Sequence, residues 1–168
     1  MRRGLLIGSL LILAACSPGE SLEHISGPTM GSSYTVQYVR TADGPAPQRV
    51  QREVEQVLEG IDLRFSTYRS DSMIEAFNRL PANSCQWMPA DVLELVAVGE
   101  QLSQQGDGAF DLTVEPLLDL WGFGPQSRLE KVPTAQALSE VRRRVGHGHL
   151  RIVGEQLCKD EAVEVDFN

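Results

Sequence analysis

The chain has 168 residues, 42% of them apolar, and a formal charge of −8 from 15 basic and 23 acidic side chains; that is enough length and apolar content for one domain with a real core. A chain this acidic repels phosphate backbones, which argues against nucleic acid as a partner. None of the three cysteines stands in a Cys-x-x-Cys pair, and His24, His147 and His149 have no cysteine at ligand spacing, which argues against a zinc site.

Arg2 and Arg3 open the chain, an apolar run extends from Leu5 to Leu13, and Leu13-Ala14-Ala15-Cys16 closes it. The run is shorter than the roughly 20 residues a permanent membrane helix needs, and it reads as an export signal. Cysteine directly after Leu-Ala-Ala resembles the bacterial lipobox, which implies cleavage before Cys16 and a diacylglycerol on its sulfur; a plain signal peptide is the alternative. The expected division is a signal peptide at 1–15, a lipid-anchored tether at 16–28 and a folded domain at 29–168. Such a protein would be exported and held to a bacterial membrane, facing the periplasm or the cell exterior. There, a Cys85–Cys158 bridge and two separate thiols are both open.

From Ser33 to Val39 the pattern alternates, with Tyr34, Val36 and Tyr38 on one face, so a half-buried strand is expected with Met30 and Gly31 at its mouth. Gly44, Pro45 and Pro47 mark a turn, after which Val50, Val54, Val57, Leu58 and Ile61 recur at helical spacing. Ser72-x-x-Glu75 has the form of a capping box opening a short helix that ends near Pro81. Asn83 to Pro89 reads as irregular, and Asp91 to Ser103 as a helix with Val92, Leu95, Val96, Gly99 and Leu102 on one face. Pro116 suits the start of another helix, Thr134 its successor's N-cap, and Arg142–Arg144 favourably oppose the macrodipole at that successor's end, phosphate binding being the alternative. Leu150–Val153 and Val163–Phe167 read as two strands around a loop. Together these elements make an α+β fold, a mixed or antiparallel sheet flanked by helices.

Four blocks then go beyond pattern. Gly108-Ala-Phe-Asp-Leu-Thr-Val-Glu-Pro-Leu-Leu-Asp-Leu-Trp-Gly-Phe-Gly124 resembles the signature block of the ApbE family, the FAD:protein FMN transferases. Met30-Gly-Ser-Ser-Tyr34, Phe65-Ser-Thr-Tyr-Arg-Ser-Asp-Ser72 and Ile74-Glu-Ala-Phe-Asn78 agree with the same family in the same order. Several motifs in register carry far more weight than one short match. The resemblance implies an ApbE-like, T-fold-related architecture, covered here over the N-terminal half of the family pattern. It implies transfer of FMN from FAD to a serine or threonine hydroxyl of an acceptor protein, with release of AMP and dependence on Mg²⁺. Expected acceptors are subunits of membrane electron-transport complexes.

By that resemblance FAD contacts fall on Met30, Tyr68, Ala109, Phe110, Asp111 and Asp166. A thioether adapts to flat rings, a tyrosine offers a face and a hydroxyl, and the two carboxylates accept from ribose or base donors. The alternative for Asp111 is an N-terminal cap. Trp121 and Phe123 are expected to pack in the core beneath the site. The family's Gly-x-x-Lys-Gly-like turn and later Asp-x-x-Thr block, which carry the metal ligands, have no counterpart before Asn168, so no metal ligand and no catalytic residue is assigned within the chain. Two other readings stay open: a truncated, non-catalytic FAD-binding lipoprotein, and a metal-dependent FAD pyrophosphatase.

Overall fold

A computed structural model describes residues 19–124 and 132–167. Cys16 and the expected signal lie outside the described residues, as do Pro125 and the Glu130-Lys131 pair. The chain divides into two compact units, one up to Val54 and one from Glu55 onward, and helix α1 (Pro47–Phe65) runs across that division.

The first unit is a long antiparallel hairpin of β1 (Ser21–Thr29) and β2 (Ser32–Arg40). Thr29 pairs with Ser32, so Met30 and Gly31 form a two-residue loop, and both have positive φ, 43° and 71°. That is the turn whose twist matches paired strands. The alternation of Tyr34, Val36 and Tyr38 holds: these three are half-buried and Thr35, Gln37 and Val39 are exposed. The tether expected through residue 28 is strand from Ser21 on, a correction with a clear cause. Ser-Leu-Glu-His-Ile-Ser-Gly-Pro-Thr carries a single buried residue, Ile25, so β1 is held by its ladder to β2 and shows little hydrophobic pattern.

In the second unit, α2 (Met73–Asn78) and α3 (Ala90–Gln105) pack on a three-stranded antiparallel sheet of order β3-β5-β4, comprising β3 (Ser84–Trp87), β4 (Leu150–Val153) and β5 (Gln156–Lys159). The core is Ile74 and Phe77 from α2, Met88, Val92 and Val96 around α3, Leu112, Leu157 and Val165. Ser72 caps α2 as expected, its Oγ accepting from the Glu75 N–H at 3.1 Å. The Glu75 carboxylate turns forward to Asn78 and Arg79. Thr134 likewise caps α5 (Ala135–Val141), accepting from Ala137 N–H, and Arg142–Arg144 follow as a 3₁₀ turn.

Two expectations about strands are corrected. Ser84–Trp87, within the stretch read as irregular, is β3, and the partner of β4 is Gln156–Lys159, not Val163–Phe167. β5 hides in the sequence because its inward residues include a lysine. Lys159 is 1% exposed, and its ammonium donates to the carbonyls of Asn78 and Val163, both at 3.0 Å, 5.0 Å from the centre of the Phe77 ring. Burial pulls its pKa down to about 8. Val163 and Val165 are fully buried, so the alternation read there is real; their backbone bonds go elsewhere, as described below.

Cys85 and Cys158 are opposed across β3 and β5 and form a disulfide, their Cα atoms 4.0 Å apart. Met88 N–H donates to Glu155 O on the same ladder, which makes 85–158 one of the close pairs without backbone bonds between them.

Candidate functional site

α3 presents two faces. Val92, Val96, Gly99 and Ser103 are buried against the core, while Leu95, Val98 and Leu102, each nearly half exposed, line an open cleft. Gly99 stands between the two roles: a β-carbon there would lie 2.3 Å from Leu112 Cδ1, so its absence lets the 108–112 segment pack against the helix. The cleft encloses about 580 Å³, and Ala109, Phe110, Asp111, Leu117, Asp166 and Phe167 close its other sides. That volume and largely apolar lining suit a flat ring system.

Four of the six residues assigned to FAD by resemblance therefore meet in one place: Ala109, Phe110, Asp111 and Asp166. Tyr68 belongs to the same unit but is not part of the cleft lining; it is 67% exposed, with its N–H on Ser66 Oγ at 3.2 Å. Met30 belongs to the first unit, half exposed at the hairpin tip. Left-handed backbone costs a non-glycine residue roughly 1–2 kcal/mol, and such strain gathers where a side chain must be aimed.

Asp111 is a structural hub as well as a cleft residue. Its Oδ1 accepts from the Thr113 N–H at 2.8 Å and the Thr113 hydroxyl at 2.7 Å, and its Oδ2 from the His147 N–H at 2.9 Å. Thr113 Oγ1 in turn accepts from the Gly146 N–H, and His147 Nδ1 meets the Glu100 carboxylate of α3 at 3.0 Å. The turn before α4 (Glu115–Trp121), the 146–147 turn and α3 are thus tied together around one carboxylate. Helix α4 has Val114 at its N-cap and no side-chain cap bond, so the N-terminal cap the sequence allowed for Asp111 is not formed; its oxygens instead close the turn to Thr113 and hold the 146–147 turn.

Behind the cleft lies a polar cluster that sequence reasoning missed. Glu115 is 4% exposed, and burial followed by the charges of Asp166, Glu75 and Asp119 pushes its carboxyl up to about 8. Asn78 Nδ2 donates to Glu115 Oε2 at 2.9 Å and to Val165 O at 3.0 Å, while Asn78 Oδ1 accepts from Val165 N–H at 2.8 Å. Asp166 N–H then donates to Leu112 O at 2.8 Å. Both Asn78 and Glu115 sit inside the quoted blocks, but nothing in residue type distinguishes them from surface polar positions.

The cation beside Tyr68 is already committed. Arg69, next to Tyr68, holds Asp71 through two bonds of 3.0 Å, with Asp62 at 3.0 Å and Glu59 at 2.8 Å. These partners, Asp71 first, raise its pKa further, and they leave it a brace for the loop after α1. The charged residues lining the cleft are Asp111 and Asp166, a poor match to a pyrophosphate and a good match to ring or sugar donors. Among the described residues no group of three His, Cys, Asp or Glu side chains could hold a metal. Glu115, buried among the charges of Asp166, Glu75 and Asp119, has its carboxyl engaged by Asn78, so the described donors do not fit Mg²⁺.

Trp121 and Phe123, expected beneath the site, are 43% and 74% exposed. Gly122, at φ 84°, ends α4 with paired bonds from Gly122 N–H to Asp119 O and from Phe123 N–H to Leu118 O. That reversal leads the chain out of the helix at Phe123, and neither aromatic is part of the core.

Comparison with known proteins identifies what the chain is similar to. The family model described as "ApbE family" matches residues 30–168. An FAD:protein FMN transferase of Vibrio cholerae is 37% identical over 154 residues, 92% of this chain and 46% of that protein; the Haemophilus influenzae one is 35% identical over 83% of the chain and 41% of that protein. The apo flavinyl transferase ApbE of Pseudomonas stutzeri superposes with a TM-score of 0.83 at 57% identity, covering 89% of this chain and 50% of that one. The Thermotoga maritima ApbE protein, at 22% identity and a TM-score of 0.71, shares the fold. The chain spans about half the length of the relatives it matches. With the family pattern matched from Met30 through the cleft residues to the last strand-like segment, the chain belongs to the ApbE family.

Proposed function

We propose that the protein takes part in FAD:protein FMN transfer, in which a serine or threonine hydroxyl of an acceptor protein attacks the FMN phosphorus of FAD. The hydroxyl loses its proton, the pyrophosphate P–O bond breaks, AMP leaves, and the flavin stays on the acceptor through a phosphoester. The observation that carries this reading is the gathering of Ala109, Phe110, Asp111 and Asp166 around one apolar cleft. In this reading the cleft takes a ring system of FAD against α3 and Phe110, and the two aspartates receive its donors. Phosphoryl transfer is governed by positioning and charge neutralisation. The charged groups lining this cleft are acids, so the neutralising cation, proposed to be Mg²⁺, must be held by groups other than these, and no step is assigned to it here.

Acceptors are proposed to be subunits of membrane electron-transport complexes, and Cys16 to be the lipid-modified residue that holds the protein at a bacterial membrane on its periplasmic or outer side. Among the described residues no helix is long and apolar enough to cross a membrane. The test is incubation with FAD, Mg²⁺ and an acceptor protein, followed by in-gel flavin fluorescence and AMP assay. Fluorescent acceptor with stoichiometric AMP supports transfer. Saturable FAD binding without either product supports the binder alternative; AMP without labelled acceptor supports the pyrophosphatase.

A further inference from the structure

We propose that Asn78 is a positioning residue for the flavin site: it holds the 163–165 segment in the one register that delivers Asp166 to the cleft. The inference rests on the flavin reading above and names the residue that prepares the site for its ligand.

Val163–Phe167 carries a cleft residue but belongs to neither ladder of the three-stranded sheet. Something other than strand pairing must set its register, and the Asn78 side chain takes the place of a paired strand. Its Oδ1 accepts from Val165 N–H at 2.8 Å and its Nδ2 donates to Val165 O at 3.0 Å, the two bonds a neighbouring residue would exchange with Val165. Its backbone carbonyl accepts from Lys159 Nζ, which also holds Val163 O. Three successive points of the segment are thus fixed: Val163 by Lys159, Val165 by Asn78, and Asp166 by its N–H on Leu112 O. Register decides the outcome, because side chains alternate. Val163 and Val165 are fully buried, and a slip of one residue would turn Asp166 inward and a valine into the cleft.

The position requires an amide. One side chain must accept from Val165 N–H while donating to Val165 O and to Glu115 Oε2. An ionised aspartate accepts only: it would set a negative charge against the Val165 carbonyl and lose the donor to Glu115 Oε2. A protonated aspartic acid offers one acceptor and one donor, which restores the Val165 pair. The ionisable groups facing position 78 are Glu75, Glu115 and Lys159, and the wild-type chain carries the same three through any pH series.

The experiment uses the full chain with Asn78→Ala and Asn78→Asp, FAD titrated by flavin fluorescence from pH 5 to 8, and amide hydrogen exchange at residues 165 and 166 measured without FAD. The expected result is an FAD Kd raised tenfold or more for the folded fraction of both variants at pH 8. Exchange at Val165 and Asp166 is expected to quicken tenfold or more, and Asn78→Asp alone to recover affinity towards pH 5 relative to wild type. A merely structural role would lower the folded fraction and leave the affinity of that fraction unchanged, which overturns the proposal. If Asn78→Ala fails to fold, Asn78→Asp decides alone by its pH-dependent recovery, and its absence overturns the role. A wild-type chain that does not bind FAD overturns the flavin reading and this inference with it, whereas wild-type binding that neither variant alters overturns only the assignment to Asn78.

Discussion

At the scale of single residues, the side chains that shape the site act mostly on one another. Asp111 satisfies three donors, two of them from the fully buried Thr113. Removing one partner of a buried bond costs about 1–3 kcal/mol, so Asp111→Ala is expected to lower unfolding stability by about that much and to weaken FAD binding as well; urea denaturation alongside FAD titration checks both, and unchanged stability would contradict the hub. Glu115 gives a pH signature. Its pKa is raised in the fold from near 4.5 to about 8, so between those values the folded chain keeps a proton that the unfolded chain has lost. Its contribution to stability is complete below pH 4.5 and declines as pH rises to 8, by at most about 1.4 kcal/mol per pH unit. Lys159, drawn down to about 8, acts in the opposite direction only above that pH. Glu115→Gln keeps an acceptor for Asn78 and removes the titration, so it is expected to flatten the decline between pH 5 and 8 and to be the more stable form at pH 8. Denaturation curves at three pH values would show it, and parallel wild-type and variant profiles would refute it. Of these residues, sequence resemblance found Asp111 and Asp166, whereas Glu115 and Asn78 escaped because burial, not residue type, gives them their roles.

Elements were legible where hydrophobic period or cap chemistry was strong. The β2 alternation, the α3 helix, and the Ser72 and Thr134 caps are all found where the sequence puts them. Where bonding outweighs pattern, the sequence misleads: β1 has one buried residue, β3 is four residues long, and β5 turns a lysine inward. Val57, read as part of the α1 stripe, is 63% exposed, and no α1 residue is buried. Leu95 and Leu102, read with the buried face of α3, line the cleft. Two elements invite tests. Gly99→Ala is expected to destabilise the second unit by about 1–3 kcal/mol through overpacking against Leu112, despite the gain in helix propensity; a raised melting temperature would contradict the close approach. The Cys85–Cys158 bridge spans 73 residues, and loop closure of that length is worth about 4 kcal/mol in the chain-entropy model. Reduction, or replacement of both cysteines by serine, should therefore shift urea unfolding markedly downward, and a coincident curve with and without dithiol reductant would show that the bridge does not form.

At the scale of the whole molecule, the chain carries the family pattern from residue 30 onward in two units, with Met30 on a strained hairpin tip in one and the apolar cleft in the other. Its acidic balance agrees with the cleft, whose charged groups are both carboxylates; under the proposed function such a site would take the rings and sugars of FAD and leave its phosphates to a separate cation. Under the proposed function this cleft takes a ring system of FAD, and the decisive measurement is fluorescence titration of FAD into the wild-type chain and into Phe110→Ala. Phe110 is 43% exposed and outside the buried core, so its truncation should spare the fold while removing a stacking face worth roughly 1 kcal/mol or more. Saturable wild-type binding, weakened about tenfold in Phe110→Ala with circular dichroism unchanged, is the predicted result; no wild-type binding, or equal affinity in the two proteins, would contradict it.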